Sequence, residues 1–505
     1  MDINDLLEKS AELIDNGRDR EGLEVIDTII ARDPMCDLAW FLRGSALVNL
    51  NQSDAALEAL NKALSLNPRD AVYWCIKGTA LIELERDTEA LEAFNRSLAL
   101  NPALDVSWSG KGTVFMNRNE FFAALDAFDR ALAIKEDHAP IWHRKAFVLF
   151  MLGRLDESLD AHERSIALDP DNAVAWADKA LVLARLNRFD EALAAYDQAT
   201  HISTENPEIW YNKGYLLAQL GIYGQALAAF EKAIEQKPDF AEAWSNKGNT
   251  LSKLFRDDEA LAAYDHAIAL DPTISAAWNN KGQLLERLGR HKEALVQFNQ
   301  ALSINPHYTR ARFNKGVALS SLGRYGEALP AFDLVLLDNF EDADAWSGKA
   351  YALSQLEQYR GALDAYDHLL ALQPGLIYAW FNKGCIFANQ GSYVKAAKAF
   401  DTVIARCPDH IDAWRYKGNA LAQLNWSKKA LEAYDTVLSL DPSNAEAWVS
   451  KGQIFDNLEK YDRAIACYEE AIRINPVDTR IQTFIGKACA ARNKTSPQPK
   501  RAVKR

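Results

Sequence analysis

The chain of 505 residues has 57 basic and 70 acidic side chains, and its net charge of −13 argues against general nucleic-acid binding. Six scattered cysteines without CxxC spacing indicate neither a zinc site nor a disulfide framework. No apolar run is long enough to span a membrane, and the opening MDINDLLEKS lacks the basic and apolar regions of a signal peptide, so a soluble, cytoplasmic protein is expected.

A fixed period organises nearly everything that follows. Trp40, Trp74, Trp108, Trp142, Trp176, Trp210, Trp244 and Trp278 fall 34 residues apart, and the series resumes at Trp346, Trp380, Trp414 and Trp448. With this residue as position 4, fourteen units begin at residues 3, 37, 71, 105, 139, 173, 207, 241, 275, 309, 343, 377, 411 and 445, and the last ends at 478 without a break in register. Positions 4, 8 and 11 share one face of a first helix, and positions 20, 24 and 27 one face of a second. Small residues at 8 and 20, such as Gly44 and Ala56, let the two backbones approach. Proline at position 32 in eleven units, from Pro34 to Pro476, ends the second helix. One such pair cannot bury its apolar face alone, but stacked pairs bury a continuous core.

The pattern resembles the tetratricopeptide repeat, W-x2-L-G-x2-Y, then A-x3-F, then P. The resemblance covers 3–478, with a further first helix from Thr479, and is similar to long arrays of archaea and bacteria and to the repeat region of O-GlcNAc transferases. It implies an all-α, right-handed α-solenoid (superhelix) of fourteen tandem helix-turn-helix repeats, with a capping helix over 479–491 and a basic tail, 492–505. The tail reads as disordered and solubilising, or as a basic arm for nucleic acid or an acidic partner.

In chain order, the first unit, with Leu6, Ser10 and Gly22, reads as a polar cap. The unit from residue 139 holds His138, His143 and His162 nearby; His162 is at position 24, where other units place an aromatic or aliphatic residue, and reads as a core histidine rather than a metal ligand. The same unit has Phe147, Phe150 and Met151 on its non-core face, an apolar patch suited to an adaptable interface. Asn212, Asn246, Asn280, Asn314 and Asn382 then recur at position 6, on the side of the first helix away from the core stripe. In the transferase arrays, asparagines at this position grip the backbone of an extended polypeptide, and the resemblance carries that role to these five. A primary amide can answer a peptide N–H and C=O together. Tyr211, Phe313 and Phe381 at position 5, and Tyr215 and Tyr351 at position 9, flank them.

The unit from residue 309 departs three times, with Arg312 for Trp, Pro330 inside the second helix and Phe340 for Pro, and is expected to kink. Towards the end, Arg415, Asn419, Ser450, Arg480 and Phe484 match a carboxylate clamp incompletely, so recognition of an acidic C-terminus is not implied. Lysine or arginine stands at position 7 of every unit, from Lys9 to Lys451, and Asp, Glu or Asn at position 25, from Asp27 to Glu469. The two series predict a pairing between first and second helices, in the same unit or an adjacent one.

No nucleophile elbow, phosphate loop or HExxH is present, and no catalytic residue, metal or cofactor is expected. The sequence reads as a non-enzymatic scaffold that binds a protein or peptide in its groove, with no specific nucleic-acid or membrane partner. A regulatory or targeting subunit of an enzyme encoded elsewhere, such as a glycosyltransferase-like partner, is the alternative.

Overall fold

The computed structural model describes residues 2–495. Among them are twenty-nine α-helices, from α1 (Ile3–Asp15) to α29 (Thr479–Thr495), and no strand. Each full unit gives a 13-residue first helix and a 14-residue second helix, as in α13 (Pro207–Gln219) and α14 (Tyr223–Gln236). The first helices begin at the residues that the period marks. The turn between them needs a left-handed residue at position 15, supplied by Gly221 (φ +77°) or Asn187 (φ +59°).

The chain divides into two compact bodies between Ala260 and Leu261. Within each, successive helices pack in chain order, and first helices of adjoining units touch, as α5 (Ala71–Glu83) does α7 (Asp105–Asn117). The position-24 ring fills the space between them. Phe298 is fully buried, and a Cβ on Gly282, at position 8, would stand 2.6 Å from it. Close approach of the helices therefore requires a small residue at position 8.

The recurring Trp and Lys join each unit to the one before. The Trp244 indole Nε1–H donates to the Pro238 carbonyl at 3.0 Å, and in the second body Trp278 donates to Pro272 at 2.9 Å. A backbone oxygen accepts, so the bond survives where the loop residue is Glu136 or Phe340. Lys247 lies over the Trp244 ring, 5.2 Å from its centroid, and reaches Glu231 at 3.0 Å. The pairing recurs as Lys145 with Asp129 (2.7 Å), Lys213 with Asp197 (2.7 Å), Lys281 with Asp265 (2.5 Å) and Lys417 with Asp401 (2.6 Å). Lysine thus pairs with the acid of the preceding unit, which resolves the register that the sequence left open. The acids are half exposed, so each pair contributes roughly 0–1 kcal/mol and serves register more than stability.

Two expectations need correction or refinement. Helix α29 continues four residues past 491, to Thr495. Alanine, arginine and lysine favour helix there, and Arg492 reaches Asp462 at 3.3 Å. The remaining tail, 496–505, lies outside the described residues. In the unit from residue 309, α20 (Tyr325–Asp338) runs through Pro330 for the usual 14 residues. Pro330 and Gly326, whose carbonyl loses its amide partner, are both exposed, so water can serve that oxygen. Arg312 replaces the missing indole: its Nε–H donates to the Pro306 carbonyl at 2.8 Å, and Nη1 pairs with Asp338 at 2.7 Å.

Candidate functional site

Position 6 is less free than helix periodicity alone suggests, because it lies against the position-24 ring of the preceding unit. A Cβ on Gly348 would stand 2.5 Å from the Phe332 ring. The expected asparagines are accordingly half-buried, except Asn212, which is exposed. Asn382 donates to the Tyr366 hydroxyl at 3.0 Å. Asn246 donates to the Tyr211 hydroxyl at 3.0 Å and accepts from Asn249 at 3.1 Å. Asn314 donates to buried Asn279 at 2.8 Å, and Asn279 donates in turn to Asn280 at 3.1 Å. Asn212 makes no hydrogen bond through its side chain among the described residues.

The aromatics divide in the same way. Tyr211 packs on Phe240, 4.9 Å between centroids, and Phe313 meets Phe332 edge-on at 5.9 Å. Phe381 stacks on His410 at 5.3 Å, while Phe150 packs against the core around Tyr196. Phe150 thus joins its unit to the next, and Phe381 also meets Tyr416 of the following unit at 5.4 Å, whereas the Tyr211 and Phe313 contacts lie within their own units. Phe147, Met151, Tyr215 and Tyr351 are exposed.

One pocket gathers polar groups that lack partners. It occupies about 410 Å³ in the first body, among α11 (Ala173–Arg185), α12 (Phe189–Ile202) and α13. Leu181, Arg185, Tyr196, Asn212, Tyr215 and Gln219 line it. Tyr196 and Asn212 have the spacing of Tyr366 and Asn382, but no hydrogen bond joins them. Tyr196 is 2 % exposed, and its hydroxyl has no hydrogen bond among the described residues. Burial, followed by the nearby Asp178 carboxylate, pushes its phenol up, so it remains an O–H donor at neutral pH. Arg185 makes no ion pair among the described residues. Sequence reasoning missed Leu181, Arg185, Tyr196 and Gln219; positions 9 and 13 of the repeat would have pointed to three of them.

His143 and His162 meet beside this region. His162 is 1 % exposed, its ring 5.5 Å from that of His143. Burial, then the charges of His143 and Lys179, pushes its pKa down to about 3. Its Nδ1 has no hydrogen-bond partner among the described residues. His143 Nε2 lies 3.4 Å from Asp178, whose carboxyl burial pushes up and His143 draws back. Among the described residues, no group of three or more His, Cys, Asp or Glu could hold a metal. No described helix is long and apolar enough to cross a membrane.

The incomplete clamp residues do come together. Arg415, Asn419, Ser450, Arg480 and Phe484 line a cavity of about 290 Å³ in the second body. Its arginines are already engaged: Arg415 by Asp412 at 2.7 Å and Glu446 at 2.8 Å, and Arg480 by Asp478 at 2.6 Å.

Helical hairpins in unbroken tandem, joined unit to unit by Trp, Lys and acid, place the chain among the helical-repeat proteins. A family model described as tetratricopeptide repeat matches residues 42–105, 177–241, 297–344, 313–377, 347–411 and 381–426, more than half of the chain. Other models of the same description match 137–205, 241–274, 275–308, 411–444 and 445–478. The chain belongs to the tetratricopeptide repeat family, and its repeats make it a protein-interaction scaffold. No curated protein matches the sequence. Similar solved structures include the APC/C hetero-tetramer Cut9–Hcn1, at 15 % identity over 97 % of this chain and 96 % of that one, with a TM-score of 0.41. YrrB, described as a TPR protein with an unusual peptide-binding site, is 24 % identical over 37 % of this chain and 96 % of its own, with a TM-score of 0.33. A tetratricopeptide repeat protein from Parabacteroides merdae is 19 % identical over 49 % of this chain and 98 % of its own, with a TM-score of 0.37.

Proposed function

We propose that the chain is a non-catalytic scaffold that binds an extended polypeptide across the first helices of its first body. The observation that carries this reading is a row of position-9 side chains: Phe147, Leu181 and Tyr215, 41, 42 and 47 % exposed on the consecutive first helices α9 (Ala139–Met151), α11 and α13. Such a row is more than scattered surface apolarity. Packed helices lie about 8–10 Å apart and an extended chain rises about 3.3 Å per residue, so roughly three ligand residues would span each unit. Met151 widens the row at one end, and the Asn212 amide at the other can answer a backbone N–H and C=O together. Asn246, the other expected amide on this body, would first have to release Tyr211, so it adds less than Asn212 does.

Panning a displayed random-peptide library on the full chain tests this. Selected peptides should bind about tenfold more weakly to a Phe147→Ala/Tyr215→Ala variant, the loss of roughly 1.4 kcal/mol. They should be indifferent to Phe122→Ala, which removes a ring 76 % exposed on the second helix α8 (Phe121–Ile134). Equal losses in both variants, or none in the first, would place binding elsewhere.

A further inference from the structure

We infer that the pocket between Arg185 and Asn212 takes the carboxylate side chain, Asp or Glu, of the bound polypeptide. The inference rests on the groove reading above and adds what the ligand must bring.

The donors carry it. The Arg185 guanidinium stands at the C-terminal end of α11 without an ion pair among the described residues. The buried Tyr196 ring turns an unpartnered hydroxyl to the same pocket, and Asn212 and Gln219 add two amides. An ionised carboxylate is acceptor-only, with about four lone-pair sites, and this set can fill them. A planar guanidinium also matches a carboxylate in two parallel bonds. A lysine side chain would meet the Arg185 charge. An apolar side chain would desolvate the Tyr196 hydroxyl and the Arg185 guanidinium and give nothing back. Asn382 shows what a closed pocket looks like: there the amide already satisfies the Tyr366 hydroxyl. The nearest competing anion near Tyr196 is Asp178, which is drawn to His143 instead. Tyr215, half exposed at the rim, offers an apolar face to the ligand's methylenes.

The test uses peptides panned on the full chain, each remade with its acidic residue changed to the amide. Selected peptides should share an Asp or Glu. Glu to Gln in the peptide should weaken binding about tenfold or more on the wild type, as a charge-assisted bond implies, but less than about twofold on Arg185→Gln. Tyr196→Phe, which keeps the ring and removes only the hydroxyl, should reproduce part of the loss. Arg185 is exposed, so its replacement should leave the helical signal unchanged. Peptides that depend on Phe147 and Tyr215 but show no acid preference would overturn this assignment and leave the groove reading standing. An acid preference that persists undiminished in Arg185→Gln would overturn it too. Selection of no peptide sensitive to either pair of residues would overturn both.

Discussion

His162 occupies a core position as a neutral ring, and this makes a stability prediction with a sign. Its folded-state pKa of about 3 lies below the ordinary value of 6.5. The unfolded chain therefore takes up a proton first as the pH falls. Stability is complete above about pH 6.5 and declines below it by about 1.4 kcal/mol per pH unit until the folded pKa is reached. At pH 5 the deficit from this one group is about 2 kcal/mol, from the two pKa values. Tyrosine is the appropriate replacement: two other units combine alanine at position 8 with tyrosine at position 24, Ala180 with Tyr196 and Ala350 with Tyr366, and this unit has Ala146. Urea unfolding at pH 7.5 and 5.0 should show the wild type losing about 2 kcal/mol more than His162→Tyr does. The comparison cancels the titrating groups remote from position 162. Parallel pH profiles, or an NMR titration of His162 near its ordinary pKa, would refute the argument.

Four substitutions probe the packing within and between units. Arg312→Ala removes a buried guanidinium and its bonds to the Pro306 carbonyl and Asp338, and should cost about 2–4 kcal/mol in thermal unfolding. Arg312→Trp restores an indole donor to Pro306 and leaves the part-exposed Asp338 to water, so it should stay within about 1 kcal/mol of wild type. Lys247→Met removes a pair whose acid is half exposed; the unfolding free energy from urea titration should fall by no more than about 1 kcal/mol, and a loss above about 3 kcal/mol would reveal a buried network instead. Gly282→Val forces a Cβ to within 2.6 Å of the Phe298 ring and should destabilise by about 1–3 kcal/mol through overpacking, read by the same melt.

The repeat made the elements legible before any coordinates. Stripes at positions 4, 8 and 11 are a local property of one helix, so the 34-residue period sets both helices and their boundaries to within a residue or two. The Lys and acid series likewise announced a pairing, because two fixed complementary columns have few other uses. The sequence could not say which unit supplies the acid: Lys247 with Glu231 of the preceding unit and a bond within its own unit read identically in one dimension. Stacking decides that, by laying each first helix against the second helix before it. The same stacking governs position 6. Helix periodicity alone sets Asn212, Asn246 and Asn382 equally apart from the core, but each also meets the preceding unit's ring and its neighbours' polar tips. Asn382 finds the Tyr366 hydroxyl and Asn246 that of Tyr211, whereas Asn212 finds neither and opens beside Arg185. Whether an amide is held or free depends on a hydrogen bond of about 3 Å between residues far apart in the chain, and only the packed structure brings such partners within that distance.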